Sequence, residues 1–270
     1  MSGNLRLLTD TFATVRAERR AALITYLPAG YPTVEDGITT LETMLGNGAD
    51  IVEVGLPHSD PVIDGPVVQT ASGQALRNGV RIADVLRTVR EAHRATGKPV
   101  LVMTYWNPVE RYGIERFAAE LAAAGGAGCI LPDLPVQESA PWRELAARHD
   151  LATVFVVAPS STTERLAEIT SAGTGFVYAA STMGVTGART TLDEAARTLV
   201  HRIQTLTDLP VCVGIGISDA AQAAQVASFA DGVIVGSSLV RAMLEAPDTA
   251  AGLSAVRART AELAAAVRPA

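Results

Sequence analysis

Aromatic side chains are scarce in this sequence: Phe, Trp and Tyr make up 4% of its 270 residues. A core of ordinary size must then be filled by branched aliphatics and alanine, which the 48% hydrophobic content supplies. Cysteine is nearly absent. Cys129 and Cys212 lie far apart, outside any CxxC spacing and each within an apolar run. They read as two small buried hydrophobes, which argues against a disulfide framework or a thiolate metal site. Positive charge is in the minority, 22 Lys and Arg against 28 Asp and Glu, for a net charge of −6. Nucleic-acid binding needs clustered cations to neutralise phosphates, so that class is disfavoured. One small phosphate remains possible, because backbone N–H groups can hold it without a basic patch. The four histidines contain no His-x-His or His-x₃-His pair, and no metal is assigned; His93, His149 and His201 fall on expected helices or their ends and read as solvated. No apolar run reaches the ~20 residues of a membrane span. The opening MSGNLRLLTDTFATVRAERR lacks a signal-peptide core. A soluble, cytoplasmic protein is expected.

What the sequence does have is a rhythm. Short runs rich in Val and Ile, bounded by Gly, Pro or Asp, occur at 22–27, 50–55, 99–105, 128–132, 153–158, 175–180, 210–215 and 231–236. Each reads as a buried strand. Between them, alanine-rich stretches with apolar residues at three- and four-residue spacing predict helices, most clearly at 33–48, 115–124, 140–149, 163–172, 192–206 and 219–229. Strands alternating with helices give a parallel sheet with crossover helices, and eight is the number that closes a (β/α)₈ TIM barrel. An open doubly wound sheet is the alternative, but it would usually carry a Gly-rich turn after its first strand, and that turn here is PAGYP. The barrel is favoured. Its length suits one domain spanning 1–270, with no linker dividing it and an alanine-rich helix at the end. An extra N-terminal helix at about 5–19 is placed to plug the barrel floor.

Two links break the rhythm: 56 to about 72 after the second strand, rich in Pro, Asp and Gly, and 181–191 after the sixth, STMGVTGARTT. Long loops after barrel strands lie on the face where active sites are built. Glu53 interrupts the apolar run of strand two, directly before the first of these loops. A carboxylate there is expensive unless paired with a cation or protonated. Burial would raise its pKa and suit it to exchange protons near neutrality. Asp64, with Asp60 four positions earlier, lies in the loop HSDPVIDGP. Such an Asp is an ordinary turn device on its own; near Glu53 it becomes a candidate second catalytic carboxylate. Glycines and hydroxyls also gather after the late strands: Gly184-Val185-Thr186-Gly187, Gly214-Ile215-Gly216-Ile217-Ser218 and Gly236-Ser237-Ser238. Loops after strands seven and eight often bind phosphate, and the backbone can do so here with no Lys or Arg required.

The segment ADIVEVGLPHSDPVIDGPVVQ resembles the signature of the tryptophan synthase alpha-chain family. The similarity continues, in family order, through AALITYLPAGYPT, VLVMTYWNPVERYG, ILPDLPVQES, FVYAASTMGVTG, VGIGIS and DGVIVGSSLV, most of the chain, with an actinobacterial tenor. The resemblance implies a lyase that splits indole-3-glycerol phosphate into indole and glyceraldehyde 3-phosphate. It implies that Glu53 and Asp64 are the catalytic carboxylates and that Tyr178 lines the indole pocket. Gly184, Gly216, Gly236 and Ser237 match phosphate-binding positions, and Thr186 a mobile-loop threonine that meets the catalytic aspartate. Pro57 and Asp60 match positions facing a beta subunit in an α₂β₂ tetramer. No cofactor is implied in this chain, with pyridoxal phosphate in the partner. His58 stands where many relatives have an aromatic, Thr182-Met183 where several have Arg-Ser, and Leu23 at a pocket position that is Phe in some. Three rivals remain: a sugar-phosphate isomerase or epimerase, a chain that mainly activates a partner, and a free-standing lyase without one.

Overall fold

The computed structural model describes residues 3–180, 189–214 and 216–268, and the side chains of these except 189–193. The strands are β1 (Ala22–Pro28), β2 (Ile51–Gly55), β3 (Val100–Met103), β4 (Gly128–Leu131), β5 (Ala152–Val157), β6 (Val177–Ala180), β7 (Val211–Gly214) and β8 (Gly232–Val235). They pair in parallel, each with the next, and β8 returns to β1 to close the barrel. The helices among the described residues are α1 (Asn4–Ala17), α2 (Val34–Gly46), α3 (Pro66–Arg77), α4 (Ile82–Thr96), α5 (Trp106–Tyr112), α6 (Ile114–Ala123), α7 (Ala140–Arg148), α8 (Thr163–Ala172), α9 (Arg189–Gln204), α10 (Ala220–Ala227), α11 (Ser237–Leu244) and α12 (Thr249–Ala266).

The two-residue period of the strands sorts the core into two layers. Ala22, Ile24, Ile51, Leu101, Ile130, Val154, Tyr178, Cys212 and Ile234 fill the barrel interior. Their neighbours Leu23, Val52, Val100, Val102, Val177, Val211, Val213, Val233 and Val235 pack outward beneath the helices. Branched aliphatics dominate both layers, as the scarcity of aromatics requires. On β2 the alternation sends Ile51 inward and Val52 and Val54 outward. Glu53 therefore shares the inward face with Ile51, nearer the C-terminal end of the strand.

Helix α1 does plug the floor. Leu8, Phe12 and Val15, spaced for one helix face, join the interior cluster, and the Phe12 and Phe176 rings meet with centroids 5.7 Å apart. At the same end Arg20 holds Asp50 through two bonds of 2.6 and 2.8 Å and Glu18 through one of 2.6 Å. Asp50 also accepts the Leu23 N–H at 2.8 Å, so this ion cluster ties β1 to β2.

The loop after β2 is shorter than expected. Helix α3 begins at Pro66, not beyond residue 72. Pro at its first turn needs no N–H partner, and its buried face is Val68, Ala71, Ser72 and Ala75. These residues have the spacing of an amphipathic helix but little of the bulk that makes one visible. His93 also departs from expectation: it is half-buried against Gly125, and its Nδ1 lies 3.0 Å from the Lys98 carbonyl.

Candidate active site

A cavity of about 320 Å³ opens at the C-terminal ends of the strands, within the range of roughly 300–1,000 Å³ usual for small-ligand sites. Glu53, Asp64, Tyr178, Gly216, Gly236 and Ser237 all line it. Apolar walls come from Ile63, Val68, Met103, Ile217 and Ile234. A larger cleft of about 560 Å³ lies at the opposite end, beside Phe12, Arg16 and Asp231, and contains neither Glu53 nor Asp64.

Glu53 is 1% exposed. Its Oε1 has no hydrogen-bond partner among the described residues. Removed from water with no cation beside it, the carboxyl is pushed up to about 8. It is largely protonated at neutral pH and can both give and take a proton. Across the β1–β2 pairing Tyr26 lies in register with Glu53. Burial, then the charges of Asp64 and Glu53, hold the Tyr26 phenol well above its ordinary value, and Tyr178 responds in the same way, to burial first and then to Glu53. Both phenols stay neutral. Their rings need room at neighbouring strand ends: a Cβ at Gly55 would collide with the Tyr26 hydroxyl, and one at Gly214 with that of Tyr178.

Asp64 sits in the β2–α3 loop, half-buried. Burial raises its pKa, and the charge of His58 offsets this only in part. The two carboxyls thus have different environments, one dry and neutral, one at the cavity mouth next to a cationisable imidazole. Gln69 Nε2 donates to the Asp64 carbonyl at 2.7 Å, tying the loop to the first turns of α3.

The segments that follow β7 and β8 line the same cavity. Gly216 adopts φ +92, a conformation that favours glycine, and a Cβ there would meet nothing within 4 Å, so its backbone faces open space. Gly236 caps α11, whose first residue is Ser237. The first N–H groups of a helix lack intrahelical partners and point outward, which favours an anion. Arg241, one turn into α11, also lines the cavity, though the sequence suggested a cradle with no cation. Its ion pair with Glu245, at 3.5 Å, is solvent-exposed.

Leu23 is not a pocket residue. It is fully buried in the outward layer, and Tyr26 faces the cavity from β1 instead. Every residue of β1 is buried, so hydrophobicity alone could not show which face turns inward. Gly184, Thr186 and the Thr182-Met183 pair lie outside the described residues. Pro57 is buried, while Asp60 is exposed and accepts a 2.6 Å bond from the Ser59 hydroxyl. Among the described residues, no group of three or more His, Cys, Asp or Glu side chains could hold a metal ion. No helix among them is long and apolar enough to cross a membrane.

The family model described as tryptophan synthase alpha chain matches residues 12–268. The chain is 70% identical to the tryptophan synthase alpha chain of Streptomyces coelicolor, over 99% of both chains. It is 57% identical to that of Nocardia farcinica, over 97% of this chain and 96% of the relative. Among solved structures, Mycobacterium tuberculosis tryptophan synthase superposes with a TM-score of 0.90 at 52% identity, covering 97% of this chain and 98% of that one. The alpha subunit from Legionella pneumophila superposes at 0.87 with 33% identity, covering 97% and 98%.

Proposed function

The chain belongs to the tryptophan synthase alpha-chain family, and on that premise we propose that Glu53 and Asp64 carry its chemistry. The enzyme is a carbon–carbon lyase that cleaves indole-3-glycerol phosphate to indole and glyceraldehyde 3-phosphate. The observation that carries the residue assignment is a buried Glu53, its carboxyl raised by desolvation, sharing one cavity with Asp64 and with the glycine-rich ends of β7 and β8.

Direct rupture of the bond between indole C3 and the glycerol chain would expel a poor carbanion. Protonation of C3 avoids this. The neutral Glu53 gives its proton to C3, which produces an indolenine cation with the charge at the ring nitrogen. Asp64, as an anion in a site of restricted water, stabilises that charge. The Glu53 carboxylate then takes the proton of the adjacent side-chain hydroxyl. The carbonyl of glyceraldehyde 3-phosphate forms, the C–C bond breaks, and its electron pair restores the indole ring. The C3 proton stays on the product, and Glu53 ends as it began, so no cofactor is consumed or required in this chain.

Tyr26, Tyr178, Met103 and Ile234 would border the indole ring. Gly216, Gly236 and Ser237 would hold the phosphate with their backbone N–H groups, Gly184 would be a further phosphate-binding position, and Thr186 would meet Asp64. Anchoring the remote phosphate turns its binding energy into orientation at the reacting bond. We further propose a cytoplasmic α₂β₂ complex with a pyridoxal-phosphate beta subunit, docked at the β2–α3 loop through the exposed Asp60 rather than through Pro57, whose burial leaves it little surface to offer, and a single barrel domain across 1–270. An isomerase or epimerase would use the cradle equally well, and a carboxylate base too, but would not account for Glu53 together with the HSDPVIDGP loop. The deciding experiment supplies purified protein with indole-3-glycerol phosphate and measures indole and glyceraldehyde 3-phosphate together. Equal release of both supports the assignment; a rearranged phosphate ester without indole refutes it.

A further inference from the structure

Tyr105 takes no part in the scheme above, yet it holds the segment that bears Asp64. It is 6% exposed and stands where β3 gives way to α5. Its backbone is anchored on both sides. The Thr104 N–H donates to the Ile130 carbonyl of β4 at 3.1 Å, and the Trp106 N–H to the Asp133 carboxylate at 2.9 Å. From this fixed base the side chain crosses to the β2–α3 loop. Its phenol oxygen accepts the Val62 N–H at 2.8 Å and the Ile63 N–H at 3.1 Å. These are the N–H groups of the two residues immediately before Asp64. The His58 ring packs on the same side chain, with centroids 4.9 Å apart. The loop has little burial of its own to fix it at this point, since Val62 is 79% exposed.

We infer that Tyr105 is a positioning residue for Asp64: its hydroxyl pins the N–H groups of the two preceding residues and so sets where the Asp64 carboxylate enters the cavity. The inference rests on the reading of Asp64 as a catalytic carboxylate. The phenol oxygen accepts two consecutive N–H groups, so a single atom constrains two adjacent peptide planes. A rigid strand end thus controls a group on an otherwise exposed loop. Misplacing a catalytic group by about 1 Å can cost roughly 10²-fold in rate. Tyr105→Phe deletes one oxygen and keeps the ring and its packing on His58. The two freed N–H groups lie in a solvent-facing loop, where water can satisfy them, so the fold should persist.

The test compares wild type, Tyr105→Phe, Asp64→Asn and the double variant. Single-turnover indole formation is followed at saturating indole-3-glycerol phosphate, with amide hydrogen exchange read at Val62 and Ile63. Tyr105→Phe should slow cleavage by roughly 10- to 100-fold with little change in substrate affinity. It should also speed exchange at those two amides, and it should add no further loss to Asp64→Asn, because non-additivity marks action through a shared group. A Tyr105→Phe enzyme as fast as wild type, beside a slow Asp64→Asn, would overturn the positioning role alone. Losses that multiply in the double variant would also overturn it. An Asp64→Asn enzyme with full turnover would instead refute the catalytic reading of Asp64, and the inference with it.

Discussion

Replacing Glu53 by Gln should make the protein more stable, increasingly so as pH rises. The buried carboxyl titrates at about 8 in the folded chain, against an ordinary 4.5. A raised folded value means that stability is full below pH 4.5 and is lost as pH climbs towards 8, because the unfolded chain ionises freely while the folded one must keep the proton. Each tenfold change in proton affinity is worth about 1.4 kcal/mol. Between these two values the wild type loses roughly 1 kcal/mol by pH 5 and roughly 4 kcal/mol by pH 8. Gln mimics the protonated acid in size and does not titrate, so it is spared this loss. Urea unfolding of both proteins at pH 5, 6, 7 and 8 should show the gap widening by roughly 3 kcal/mol across the series. A gap that stays constant with pH would refute the reasoning, since any packing difference between Glu and Gln is independent of pH. A gap that narrows would mean that Glu53 is ionised and paired in the folded protein.

Asp64→Asn keeps size and hydrogen bonding but removes the anion; steady-state kinetics should show kcat reduced by at least roughly 10²-fold with a much smaller effect on KM. An increase in KM alone would make Asp64 a binding group. Gly236→Val should weaken glycerol phosphate binding by roughly tenfold or more, read by calorimetry, because a Cβ there already lies 3.3 Å from Tyr26 and a branched side chain intrudes further on the proposed cradle. Unchanged affinity would remove Gly236 from the phosphate site. Asp60→Ala should reduce the stimulation of indole release by added beta subunit while leaving the basal rate of the isolated chain nearly unchanged. A fall in basal rate and melting temperature together, with stimulation intact, would show that Asp60 only shapes its own turn through the Ser59 contact.

Much of this was legible in the sequence, for identifiable reasons. All eight strands were marked by short Val- and Ile-rich runs with clear punctuation, and their number implied closure. Glu53 stood out because a carboxylate in such a run must have a reason to be there. The glycines after β7 and β8 pointed to strand ends that do line the cavity. What stayed hidden depended on direction or distance. Helix α3 buries Val68, Ala71, Ser72 and Ala75, a face too small to register as apolar. The inward role of Tyr26 was lost because β1 is buried on both faces, which erases the alternation that would assign it. Arg241 reaches the cavity from one turn inside a helix that begins at the strand end. Tyr105 meets Val62 and Ile63 from a different strand, a contact that only barrel closure creates.

The most direct measurement is the rate of indole formation from indole-3-glycerol phosphate by Glu53→Gln, made on protein shown by circular dichroism to be folded. If Glu53 gives the proton to C3 and takes one from the side-chain hydroxyl, Gln can do neither. The rate should fall by roughly 10²–10⁴-fold, the range for loss of a general acid–base group, while substrate analogues still bind. A well-folded Gln variant that releases indole at close to the wild-type rate would contradict the account.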